Sequence, residues 1–71
     1  MPYRKRVRTF RLIKGYSQDY VAGQLGISQV AYSKMETGKT VIQVDTLKKL
    51  AQIFECHIVE LLWSKAVDIN K

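Results

Sequence analysis

Residues able to make or break bonds are scarce in this chain, whereas residues able to hold a polyanion are plentiful. His57 is the one histidine and Cys56 the one cysteine. They are neighbours in sequence, so on a helix or strand their side chains diverge rather than meet on one substrate. Glu55 and Glu60 stand nearby, but no second His or Cys does. A single thiol also excludes an internal disulfide and any multi-thiolate metal site within one chain. Cys56 therefore reads as a small buried hydrophobe, and no catalytic residue, metal or cofactor is expected. The basic residues are another matter. Twelve Lys and Arg against six Asp and Glu give a net charge of +6, with an isoelectric point near 9.7. Six of the twelve (Arg4, Lys5, Arg6, Arg8, Arg11 and Lys14) fall in the first 14 positions, which hold no acid. Clustered charge of this sign is the footprint of a polyanion binder. A solvated segment that merely aids solubility would look the same.

The elements that must position these residues are short. Seventy-one residues allow one small domain, and chains of this size bury only about 60% of their unfolded surface. A composition of 46% hydrophobic and 25% charged residues argues against disorder and low complexity. No apolar run approaches the roughly 18 residues of a membrane span, and no signal peptide opens the chain, so a cytoplasmic protein away from the membrane is expected. Val7 and Phe10, extended by Ile13, recur at helical spacing before a Lys14-Gly15 stop. Ser17 reads as the N-cap of a second helix near 18–24, with Val21, Ala22 and Leu25 inward and Gly26 at its end. Ser28 reads as the cap of a third helix, with Ala31, Tyr32 and Met35 inward and Gly38 at its end. After a loop at 39–43, Val44, Leu47, Leu50, Ala51 and Phe54 make the clearest amphipathic helix. A last helix over 58–64 holds Ile58, Leu61, Leu62 and Trp63. The expectation is an all-α, compact five-helix domain over 1–71. Its core is 5–64, its basic N-terminal extension 1–6 and its tail 65–71.

The turn between the second and third helices is the specific signal. Leu25-Gly26-Ile27 is too short for an antiparallel hairpin, and Ala22 supplies a small residue for a close, steep crossing. That is helix-turn-helix geometry, expected over 18–36, in which the second helix of the pair is presented to a DNA major groove. The segment SQDYVAGQLGISQVAYSKMETGK at 17–39 closely resembles the helix-turn-helix of the phage repressor and Cro-like family, also called the XRE family. The resemblance runs from about Val7 to Leu62. It includes Arg11, Lys14-Gly15, Ser17-Gln18, Ala22, Leu25-Gly26-Ile27-Ser28, Ser33-Lys34, Glu36, Gly38-Lys39, Thr46-Leu47, Leu50-Ala51 and Leu61-Leu62. It implies a lambda-repressor-like domain that binds double-stranded DNA through its third helix, as a homodimer on a palindromic operator.

Site residues follow from that placement. Ser28, Gln29, Val30 and Ser33 lie on the front of the reading helix. Gln pairs with the N6/N7 edge of adenine and Val packs on a thymine methyl, which favours A·T pairs opposite Gln29 and Val30. Ser28 is either a reader or only a cap. The resemblance places Gln18 at a phosphate, where the free N–H groups of a helix N-terminus favour an anion. It likewise sets Lys39 and Thr40 in a loop against the DNA backbone. Lys34 is assigned to a phosphate, with a base edge or no DNA contact as its alternatives. Phosphate contacts of this kind fix register without reading sequence. The same resemblance implies an ion pair between Arg11 and Glu36, structural rather than chemical. The basic extension either reaches a flanking phosphate or the minor groove, or is a solvated arm.

Departures from the family pattern are local. Gly23 stands where a helix former is usual, at a cost of about 1 kcal/mol. Leu12 and Ile13 replace charged residues on the outside of the first helix. His57 replaces the Ser or Thr that caps the last one, and Val59 replaces an acid. Ile58, Leu61 and Leu62 are expected to close the core, leaving Val59 and Trp63 uncovered. A dimer contact over Ile58, Val59, Leu62 and Trp63 is therefore expected. The function expected is a sequence-specific transcriptional repressor with no enzymatic activity and no small-molecule ligand. The alternatives are a small antitoxin or controller protein of the same build, and a protein-interaction module using Leu12, Ile13, Val59 and Trp63.

Overall fold

The structure, a computed structural model, describes residues 2–62, with side chains from Arg4 onward. Five helices follow one another: α1 (Pro2–Lys14), α2 (Gln18–Leu25), α3 (Gln29–Thr37), α4 (Val44–Ile53) and α5 (Ile58–Leu62), with no strand among the described residues.

The first four helices end by one device. The backbone N–H of Tyr16, Ile27, Lys39 and Cys56 donates to the carbonyl five residues earlier, on Arg11, Ala22, Lys34 and Ala51, at 2.8–3.0 Å. This closure requires a left-handed residue just before the donor. Gly26 supplies it at the α2–α3 turn, with φ 77°. At the end of α4 the left-handed residue is Glu55, φ 58°, which pays about 1–2 kcal/mol that glycine would avoid. The helix starts are equally local. The Ser17 hydroxyl accepts from the Tyr20 N–H at 2.9 Å and the Ser28 hydroxyl from the Ala31 N–H at 3.1 Å. Ahead of α5 the Glu60 carboxylate accepts from the His57 N–H at 3.2 Å. That is the returning half of a capping box; the other half, a Ser or Thr oxygen at position 57, is missing, and the Glu60 N–H donates to the His57 carbonyl at 2.9 Å.

Val7, Val21, Ala22, Tyr32, Ile42, Leu47, Leu50, Ala51, Phe54 and Leu61 form the buried cluster. Phe10 and Tyr16 flank the Phe54 ring, with centroids 6.1 and 6.5 Å away. Four expectations are corrected here. Ile13 is 71% exposed, because the inward stripe of α1 continues from Val7 through Phe10 to Arg11 instead. Val44 is also exposed. It opens α4 on the outside, and Ile42, from the loop ahead, fills the core. Leu62 is 42% exposed, so Leu61 closes the core with the half-buried Ile58. The segment 1–6 is not a solvated arm: from Pro2 onward it is the first part of α1. Proline suits that first position, since its missing N–H would have no helical partner there. Arg6 fixes this segment by donating from Nε to the Glu60 carbonyl at 3.0 Å, with its guanidinium 5.5 Å from the Phe10 ring centroid. The expectations on Trp63 and on the tail 65–71 lie outside the described residues.

Gly23 sits mid-helix in α2, and a methyl group added there would meet nothing within 4 Å. Gly23→Ala should therefore raise stability by about 0.5–1 kcal/mol. Thermal unfolding followed by circular dichroism should show a higher midpoint, by about 4–8 °C per kcal/mol for a domain of this size.

Candidate nucleic-acid interface

Behind the candidate surface lies a buried polar knot. Arg11 of α1 donates two parallel hydrogen bonds to Glu36 of α3, Nε to Oε2 at 2.6 Å and Nη2 to Oε1 at 3.1 Å. Its remaining nitrogen donates to the Tyr16 carbonyl at 2.9 Å. The Tyr32 hydroxyl donates to Glu36 Oε2, and Gln18 Nε2 donates to Oε1 at 3.1 Å. Glu36 thus accepts from three residues on three helices, and no buried side-chain nitrogen or oxygen among the described residues lacks a partner. Burial alone would push the Glu36 carboxyl up, but the hydrogen bonds from Arg11, Tyr32 and Gln18 outweigh it and hold the group below its ordinary range. The bond to Glu36 outweighs burial at Arg11 as well, and raises its pKa. Burial, then the carboxylate beside it, pushes the Tyr32 hydroxyl far up, so it stays protonated.

In front of the knot is an open groove of about 520 Å³, lined by Gln18, Gln29, Val30, Ser33, Lys34, Thr37 and Lys39. It unites the start of α2, the outer face of α3 and the turn beyond α3. Gln29, Val30, Lys34 and Lys39 are exposed and Ser33 is half-buried. Val30 is 66% exposed, an apolar side chain with no packing role of its own. The lining carries two lysines and no acid. Because Glu36 can only accept, it turns the Gln18 amide so that Nε2 points inward. One Nε2 hydrogen remains for an anion, as do the backbone N–H groups of Gln18 and Asp19, which the helix itself cannot satisfy.

Six of the eight residues assigned to DNA therefore share one groove: Gln18, Gln29, Val30, Ser33, Lys34 and Lys39. Ser28 lies at the helix start, its oxygen engaged as the cap, and exposed Thr40 falls outside the lining. Thr37 is a lining residue the sequence reading missed. It stands four residues after Ser33 and seven after Val30, so helical spacing could have found it. Its hydroxyl donates to the Ser33 carbonyl at 3.0 Å. On α5, Val59 and Leu62 are 59% and 42% exposed, three residues apart on one face. The other candidate chemistry is not assembled. Cys56 is half-buried, and its thiol is pushed up by burial and then by Glu60, the reverse of what activates a thiol. Among the described residues no group of three or more His, Cys, Asp or Glu comes together.

The sequence pattern of the helix-turn-helix family matches residues 7–61, which span α2, α3 and the groove they form. The chain belongs to the XRE-type helix-turn-helix family. One similar protein is the HTH-type transcriptional activator BcrR of Enterococcus faecalis. It is 34% identical over 62 residues, which is 87% of this chain and 30% of that protein. Another is the SPbeta prophage-derived uncharacterized HTH-type transcriptional regulator YonR of Bacillus subtilis (strain 168). It is 43% identical over 49 residues, 69% of this chain and 45% of that protein. This helix-turn-helix chain thus spans less than half the length of either relative. No solved structure gives a significant match. Among the described residues no helix is long and apolar enough to cross a membrane.

The polar knot gives the domain a defined acid limb. With its folded-state pKa below the unfolded value, Glu36 contributes stability that is fully present above about pH 4.3, the ordinary glutamate value. That contribution is lost as the pH falls through the lower folded value. Glu36→Gln should leave Arg11 buried without its counter-charge and cost about 3–5 kcal/mol near neutrality. Urea unfolding of both proteins from pH 7 to pH 3 measures this. The gap between them should narrow on acidification.

Proposed function

We propose that this chain is a sequence-specific double-stranded-DNA-binding regulator of transcription, a binding protein rather than an enzyme, acting in the cytoplasm as a homodimeric repressor on a palindromic operator. The observation that supports it is the groove in front of α3. Its side chains match the edges of A·T pairs, and its flanking lysines and the start of α2 match phosphates. In this reading Gln29 and Val30 meet adenine and a thymine methyl, and Ser33 adds a contact to a base of either kind. Gln18, Lys34 and Lys39 hold phosphates, and Thr40 supports the same backbone segment. Both relatives carry names that make them regulators of transcription. The Enterococcus faecalis protein is named an activator. A promoter reporter therefore separates repression by occupancy, where output falls, from activation, where it rises.

Base readout and phosphate contact differ in kind. On an operator selected from random DNA, Gln29→Ala should cost about 1–3 kcal/mol, with little effect on random duplex. Lys39→Ala should weaken both DNAs alike and reduce the dependence of log K on log salt by about one unit. Titrations of each variant on both DNAs at two salt concentrations measure this. Equal weakening of both DNAs by Gln29→Ala would refute readout by that residue.

The homodimer reading rests on Val59 and Leu62, large apolar side chains exposed beside the half-buried Ile58. A twofold contact through α5 would bring the two α3 helices about 34 Å apart, one turn of DNA. Sedimentation should show a concentration-dependent dimer for the wild type and a monomer for the Val59→Ser/Leu62→Ser double variant.

A further inference from the structure

We infer that Arg4 holds a DNA phosphate beside Lys39, extending the interface from the groove of α3 onto the first turns of α1. The inference rests on the DNA-binding reading above and begins with how the basic residues of α1 are engaged. Arg11 is bound to Glu36 and to the Tyr16 carbonyl. Arg6 donates to the Glu60 carbonyl and lies over Phe10. Lys14 faces Glu55 at 3.8 Å. Arg11 and Arg6 are therefore committed to the fold itself, and Lys14 is paired at the surface. Lys5 and Arg8 point into solvent on the outer face of α1.

Arg4 does neither. It is half-buried, and its side chain lies across Gly38, the residue between the end of α3 and Lys39. A methyl group built on Gly38 would fall 2.7 Å from Arg4 Nε and 2.9 Å from Cζ. The left-handed φ of 85° already favours glycine at this turn, and the guanidinium rests in the space the absent side chain leaves. Nothing among the described residues accepts a hydrogen bond from Arg4 or pairs with its charge. A guanidinium packed by its Nε side against Gly38, with no acceptor among the described residues, is pre-organised for an acceptor with two oxygens. The turn it rests on carries Lys39, itself on the rim of the groove. The chemical class that both cations and the neighbouring groove would share is the phosphodiester of the DNA backbone.

The test uses the full chain and a random-sequence duplex of about 20 base pairs. Binding is titrated from about 50 to 200 mM salt, where each phosphate contact contributes a slope of about 0.9 in log K against log salt. Arg4→Ala should reduce that slope by about one unit and weaken binding several-fold at the lower salt. Arg4→Gln, which keeps a polar side chain but removes the charge, should do the same. Arg8→Ala, which removes the same charge from the outer face of α1, should leave the slope unchanged. In a Lys39→Ala background, Arg4→Ala should still take a further unit from the slope. An unchanged slope in both Arg4 variants, with wild-type binding intact, would overturn the inference and leave the DNA-binding reading standing. So would loss of the Arg4 effect once Lys39 is gone, because Arg4 would then only brace the turn. A wild type without salt-dependent binding to the duplex would overturn both. Thermal unfolding of each variant establishes that the protein measured is folded.

Discussion

The bidentate pair between Arg11 and Glu36 is the constraint on which the other parts depend. Glu36, 6% exposed, and Arg11, 8% exposed, are tolerable inside so small a domain only because they pair with each other and with hydrogen-bonding neighbours. The answering groups come from different elements: the Tyr16 carbonyl after α1, Gln18 at the start of α2 and Tyr32 on α3. The pair adds little net stability of its own, yet removing one member leaves a buried charge. Its consequence is geometric. α1, the N-terminus of α2 and the last turn of α3 cannot shift independently without breaking a charged hydrogen bond.

That geometry reaches the surface through Gln18. Its amide joins the knot on one side and lines the groove on the other, so the buried carboxylate sets which edge of the amide the groove sees. The α2–α3 turn completes the arrangement. Ala22 lets the helices approach, Gly26 turns the chain, and Ser28 restarts the helix at once. α3 then buries Tyr32 and Glu36 while its opposite face carries Gln29, Val30 and Lys34 to solvent. A helix this short would be marginal alone; here the buried stripe holds it while the opposite face stays unpacked.

The basic residues divide along the same lines. Net charge describes the whole molecule, but only some of the cations line the groove. Arg6 and Arg11 act as structural donors, one to a carbonyl of α5 and one to a carboxylate of α3. Lys34 and Lys39 stand at the groove, and Arg4 lies over the turn that joins them. A count of basic residues therefore overstates the cations free to meet a polyanion.

The sequence by itself determined the local grammar. Ser17 and Ser28 as caps, the glycine stops, and the inward stripes of α2, α3 and α4 are set by interactions within a few residues, which the chain states directly. The face of α3 was legible for the same reason, since spacing alone puts Gln29, Val30 and Ser33 together. Only the tertiary structure decided what depends on partners far along the chain. Glu55 takes the left-handed position in the stop after α4, a conformation that no local rule assigns to glutamate. Ile42 rather than Val44 was buried because the path of a loop, not a helical period, chose it. Pro2 is a local start signal for the helix before Val7, but the bond that fixes this segment to the domain runs from Arg6 to the Glu60 carbonyl, 54 residues away, and no local pattern announces it.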